Sequence, residues 1–277
     1  MRVTALMENT APAGLACEHG LALAIEQGGR RYLLDAGASP ALLGNAAALG
    51  VDLSRVDAAV LSHAHWDHSG GFCAFFEQNA AAPLYLRREA AEPSYERLDG
   101  AEEYLGVPQA LLARTDRLRF VSGRTELDPG VWLLPHTTPG LAKRGEKVHM
   151  YRQTEGGLVP DDFAHEQSLV FDLPAGLAVF SSCSHAGADH VVEEAQAALP
   201  GRPVRAFFGG FHLMGAGGAS TLGPKPERVE ALGRRLLELG VEEIWTGHCT
   251  GAPAFELLRP LLGERLHYLS TGAVVEL

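Results

Sequence analysis

The sequence predicts an α/β fold built from two similar halves, with sheets inside and helices outside. Three observations carry that expectation. Hairpin patterns occur near residues 28 and 175, helix and strand patterns alternate after each, and several apolar strand runs end in small residues and histidine.

Val3-Thr4-Ala5-Leu6 reads as a first strand. The first hairpin joins Leu21-Ala22-Leu23-Ala24-Ile25-Glu26 to Arg31-Tyr32-Leu33-Leu34-Asp35 across Gly28-Gly29, since a glycine pair between two apolar runs supplies the backbone freedom of a tight turn. Ser39 to Leu49 reads as a helix, with Ser39 as N-cap, Pro40 at its first position and Gly50 closing it. Ala58-Ala59-Val60-Leu61 follows as a buried strand. From Arg87 to about Gly123 the texture turns charged and helical, in Arg87–Glu92 and Ala110–Arg114. That stretch reads either as a helical lid inserted over a site or as a solvated pair of surface helices.

After a loop from Pro135 to Gly157, Ser168–Leu173 and Leu177–Phe180 form the second hairpin. A helix from Asp189 to Leu199, a strand at Val204–Phe208, a helix from Pro226 to Leu239 and a strand at Glu243–Trp245 then alternate.

A chain of 277 residues, 46% hydrophobic, can bury one large core, so a single globular domain over 1–277 is expected. A net charge of -11 argues against neutralising nucleic-acid phosphates and leaves a small molecule as the expected partner. No apolar run reaches membrane-spanning length and no signal-peptide pattern opens the chain, so the expected location is the cytoplasm, away from membranes. Cys17, Cys73, Cys183 and Cys249 are scattered without CxxC spacing, which suggests neither a zinc knuckle nor a disulfide framework. Oligomeric state has no signature here.

Chemistry concentrates in His63-Ala64-His65-Trp66-Asp67-His68, directly after the buried strand. Two histidines two apart point the same way on extended chain, and Asp67 and His68 lie beyond a bend, so one short loop feeds adjacent metal positions. Imidazole nitrogen and carboxylate oxygen suit zinc, and also manganese or iron. Three later segments also end strands: Ser181-Ser182-Cys183-Ser184-His185-Ala186-Gly187, Gly209-Gly210-Phe211-His212-Leu213, and Trp245-Thr246-Gly247-His248-Cys249-Thr250-Gly251. Open sheets present ligand-binding side chains at such places.

With its His-x-His-x-Asp-His segment after a strand, the chain resembles the metallo-β-lactamase-fold superfamily. The Cys-Ser-His, Gly-Gly-Phe-His and Gly-His-Cys-Thr-Gly elements, with Glu18-His19-Gly20, Leu34-Asp35-Ala36-Gly37 and Leu61-Ser62-His63, are similar to the subgroup of a dihydropterin–ribofuranosylaminobenzene phosphate synthase. The resemblance implies an αββα sandwich with the metal site at one sheet edge. It implies one or two divalent ions, His63, His65 and His185 on the first, and Asp67, His68 and His248 on the second. Cys183 stands where many members carry a bridging aspartate, and reads as a thiolate ligand or as a small buried residue. Glu166 is a further carboxylate, for the metal or beside it. Asp35 is expected to orient a metal-bound histidine.

The implied activity is a hydrolase in which metal-activated water attacks a small, anionic phosphoester, ester or lactone. Asp67 would orient the water, His212 would contact substrate or protonate the leaving group, and His19 and Glu18 would line the pocket. A pterin-type condensing transferase and a non-catalytic metal- or ligand-binding scaffold are the competing readings. The glycine-rich segment from Gly215 to Thr221, with Lys225 and Arg228 beyond it, reads as a plain linker or as an anion subsite.

Overall fold

A computed structural model describes residues 1–277. The chain forms two compact units. Unit 1 comprises residues 1–94, 104–121 and 269–277; unit 2 comprises residues 95–103 and 122–268.

Unit 1 holds a seven-stranded sheet in the spatial order Val274–Glu276, Arg2–Met7, Ala22–Gln27, Arg30–Leu34, Ala58–Val60, Leu84–Arg87, Leu118–Val121. The first three pairings are antiparallel and the last three parallel. The hairpin across Gly28-Gly29 forms in the expected register, with Gln27 opposite Arg30. Helix Ala41–Ala48 starts one residue later than predicted, and the Ser39 hydroxyl accepts from the Ala41 N–H at 3.1 Å. Leu42 and Ala46 of that helix, with Phe72, Phe75 and Phe76 of helix Phe72–Gln78, bury against Leu33, Ala59 and Leu84 of the sheet.

Unit 2 repeats the plan. Its seven strands run Leu266–Tyr268, Glu243–Thr246, Val204–Phe208, Gly176–Phe180, Gln167–Leu173, Val131–Pro135, Thr125–Asp128. Again three pairings are parallel and three antiparallel. Helices Ala188–Ala198, Pro226–Glu238 and Ala252–Leu262 cover this sheet through Val191, Ala195, Val229, Leu236, Ala254 and Leu258. Val229, Gly233 and Leu236 are the buried positions of the second helix, spaced four and three apart as one helical face requires. No helix is long and apolar enough to cross a membrane.

The stretch expected to be helical, 87–123, is mostly not. It contains strands Ser94–Leu98, Ala101–Tyr104 and Leu118–Val121, with only short helical turns at Arg88–Ala91 and Gln109–Leu112. The first two pair in a four-stranded sheet with Met150–Thr154 and Gly157–Pro160, which also occupies part of the predicted loop before the second hairpin. The reason is the Asp99-Gly100 turn, whose φ values of 52° and 84° suit a tight hairpin. Opposite charges meet across that hairpin, where Arg97 Nε donates to Glu102 at 2.7 Å.

In both units the chemistry-bearing loops leave the C-terminal ends of strands in the parallel half of the sheet. Backbone approaches there are close. At Gly209, φ is 133° and an added Cβ would overlap the carbonyl oxygen of Ser181. Gly209→Ala is therefore expected to cost about 2–4 kcal/mol, combining backbone strain with overpacking, as read by urea unfolding.

Candidate metal centre

In unit 1 the strand Ala58–Val60 delivers Leu61, Ser62 and His63 into the interior, all buried. His65 is extended, with φ -112° and ψ 145°, and caps the short helix Trp66–Ser69, which carries Asp67 and His68. The motif thus has the predicted bend. It brings the rings of His63 and His65 within 4.6 Å, and those of His63 and His68 within 4.2 Å. Gly71 sets the depth of this turn, since a Cβ there would overlap the Ala36 carbonyl.

Asp35 organises these rings. It follows strand Arg30–Leu34 at φ 58°, fully buried. Its Oδ1 accepts from the Ser62 N–H at 2.7 Å, and its Oδ2 from the Ser62 hydroxyl at 2.6 Å and from His68 Nδ1 at 2.8 Å. Ser62 has one hydroxyl proton, and it goes to the carboxylate. His63 Nδ1, 2.7 Å from that hydroxyl oxygen, must therefore be the donor of their contact. Both imidazoles are held at Nδ1, so Nε2 is the nitrogen each offers a metal.

Burial would lower the His68 pKa, but the charges of Asp67 and Asp35 outweigh it and raise it to about 10. Asp67 Oδ2 lies 3.3 Å from His68 Nε2 and 3.4 Å from His19 Nε2. Asp35, His63 and His68 each place a donor atom within 4.8 Å of the other two. A buried set of imidazoles and carboxylates fits a divalent ion of intermediate hardness. His19 is exposed and meets Asn9 Nδ2 at 3.3 Å. The Glu18 carboxylate accepts from the N–H groups of Ala38 and Ser39 at 2.9 and 3.1 Å and from the Ser39 hydroxyl at 2.5 Å, so it secures the entry to helix Ala41–Ala48.

In unit 2, Ser181 to Gly187 are all buried. The His185 ring stacks on Phe163 at 4.7 Å and lies 4.3 Å from the His212 ring. His212 and His248 follow their strands in left-handed conformation, both at φ 49°. Cys183 and Cys249 are buried, and the Cys249 Sγ accepts from the His212 N–H at 3.3 Å and lies 3.7 Å from the Cys183 carbonyl. Burial pushes the Cys249 thiol up, but hydrogen bonds with the Cys183 side chain and with His212 outweigh this and hold it below the usual thiol range. Lys225 and Arg228 are exposed at the start of helix Pro226–Glu238.

Glu166 Oε1 accepts from the His185 N–H at 2.9 Å, and its Oε2 from the Ala186 N–H at 3.2 Å and from His136 Nε2 at 2.5 Å. His136 Nδ1 meets Glu194 at 2.8 Å. Burial disfavours charge on His136, yet the two carboxylates raise its pKa to about 9. Sequence reading left His136 and Glu194 without a role and gave Ser62 none; only the serine carried a signal, by preceding the histidine motif.

Residues 16–181 match the metallo-β-lactamase superfamily. Across 94% of its length the chain is 29% identical to the 7,8-dihydropterin-6-methyl-4-(β-D-ribofuranosyl)-aminobenzene-5′-phosphate synthase of Methanocaldococcus jannaschii, covering 90% of that protein. Among solved structures it is similar to Tm1679, described as a metal-dependent hydrolase of the β-lactamase superfamily, with a TM-score of 0.84, 26% identity, and 100% and 99% of the two chains covered. Zn(2+)-bound PqqB from Methylobacterium extorquens shares the fold, with a TM-score of 0.62 at 13% identity and full coverage of both chains.

Two outcomes are expected. Asp35→Ala should weaken metal affinity about 10–100-fold, the usual effect of removing the partner of a ligating histidine; chelator competition measures it. In metal-free protein, His136 should contribute stability fully below pH 6.5, its unfolded value, and lose it as pH rises through about 9. That contribution is roughly 3 kcal/mol at one pKa unit per 1.4 kcal/mol. Denaturant unfolding across this range should show a shallower decline in His136→Gln than in the parent.

Proposed function

This chain belongs to the metallo-β-lactamase superfamily, and on that premise we propose that it is a metal-dependent hydrolase of a small, anionic phosphoester, ester or lactone. The proposed ligands are those that the family resemblance implies: His63, His65, Asp67, His68, His185 and His248. The observation that carries the reading is the Asp35–Ser62 network, which directs Nδ1 of two motif histidines inward and reserves Nε2. A network of that form costs buried polarity unless the imidazoles have a ligand to hold.

A divalent ion, zinc with manganese or iron as alternatives, in one or two copies, would supply Lewis acidity and bring a water's pKa towards neutrality. Asp67 would accept a hydrogen bond from the attacking water and so aim it. His212 gives a proton to the leaving oxygen, a task that imidazole side chains perform in general acid catalysis. Cys183 would serve as a thiolate ligand, or it fills space beside His185.

The second reading, a pterin-type condensing transferase, is supported by the synthase relative that shares 29% identity over most of both chains. The same ligands and the same proton donor would serve it, with a diphosphate as leaving group. The non-catalytic scaffold is the third.

Metal analysis of protein purified without added metal, together with a screen of aryl phosphodiester, lactone and lactam substrates and of a pterin diphosphate paired with an arylamine, separates the three. Two zinc ions per chain and turnover support the hydrolase; turnover only when a pterin diphosphate and an arylamine are both supplied supports the transferase; metal without any turnover leaves the scaffold. In whichever reaction is found, Asp67→Ala should lower kcat at least about 100-fold, the usual scale for a positioned proton acceptor. Unchanged kcat at full metal loading would sink the role given to Asp67.

A further inference from the structure

We infer that Glu166 is a positioning residue for His185, the end of a buried strut that runs from Glu194 through His136 to the backbone of the loop displaying that histidine. The inference rests on the reading of His185 as a metal ligand and goes beyond it.

The loop needs such a support. Ser184 is left-handed at φ 53° and Gly187 lies at φ 110°, and residues in such conformations persist only where their surroundings over-determine them. Here the three peptide groups from Ser184 to Gly187 are gripped by side chains of both signs. Glu166 accepts from the N–H of His185 and of Ala186. Arg144 Nη1 donates to the Ala186 carbonyl at 3.0 Å. Glu166 is itself fixed by His136, and His136 by Glu194, which also accepts from the N–H groups of Thr137 and Thr138 at 2.6 and 2.8 Å. Glu194 stands on helix Ala188–Ala198, the element into which the His185 loop leads, so the restraint closes on itself within unit 2.

Both oxygens of Glu166 are thus committed to donors. A carboxylate ligating the metal directly would need an oxygen turned away from these N–H groups. Phe163 completes the setting: its ring stacks on His185, and its own N–H donates to Asp161 at 2.7 Å. The strut holds the main chain, and the aromatic face holds the ring.

Cobalt(II) titration of metal-free protein, read by visible absorption and by chelator competition, tests this in Glu166→Ala, Glu166→Gln and His185→Ala. Glu166→Gln keeps the shape and one acceptor oxygen for the His185 N–H; Glu166→Ala keeps neither. Expected are cobalt affinity lowered tenfold or more with an altered spectrum in Glu166→Ala, and a near-parent spectrum in Glu166→Gln. Should Glu166→Ala not fold, Glu166→Asp, with its carboxylate withdrawn by one methylene, is expected to show the same loss. Equal damage in Glu166→Gln and Glu166→Ala would overturn the inference in favour of direct ligation, and no change in Glu166→Ala would overturn it outright. An unaltered spectrum in His185→Ala would instead defeat the ligand assignment on which it rests.

Discussion

One buried carboxylate sets the order of unit 1. Asp35 loses its hydration entirely, a cost that hydrogen bonding and an opposite charge must offset. It recovers that cost from the Ser62 amide, the Ser62 hydroxyl and His68. Satisfying one acid therefore fixes the end of one strand, the tautomer of His63 and the orientation of His68 together. The left-handed turn at Asp35 places the carboxylate there, and aspartate is among the few residues that adopt it at modest cost.

Unit 2 solves a related problem with different atoms. Glu166 is buried as completely as Asp35, but its contacts are with main-chain N–H groups and a protonated imidazole rather than with the rings of the histidine motif. Burial raises the pKa of Glu166 and His136 more than offsets it, so the acid stays ionised. Side-chain orientation is controlled in one unit and loop conformation in the other, and each control is a charge that could not be buried without its partners.

The sheet plan was legible because its signals are local and strong. Gly28-Gly29 between apolar runs, the apolar run Ala58-Ala59-Val60-Leu61 before His63, and Pro226 opening an amphipathic helix each name one structure. The clustering of His63, His65 and His68 was legible for the same reason, since these residues are close in sequence. Residues 94–104 were misread because glutamate and arginine favour helices in isolation, while their Asp99-Gly100 turn and pairing with Met150–Thr154 decide otherwise. The partners of Glu18, Glu166 and His136 lie 20 to 58 residues away or on backbone atoms, which no side-chain pattern announces.

The glycines at 71 and 209 have a consequence for how this sequence can vary. The nearest atom to each is a carbonyl oxygen of another segment, with the Leu42 side chain close by as well at Gly71. A clash with a side chain can be relieved by a smaller neighbour or a new rotamer, but no substitution elsewhere removes a main-chain oxygen. Those two positions admit a single residue type, and a lineage adapting the site to a new substrate must write its changes in the surrounding loops.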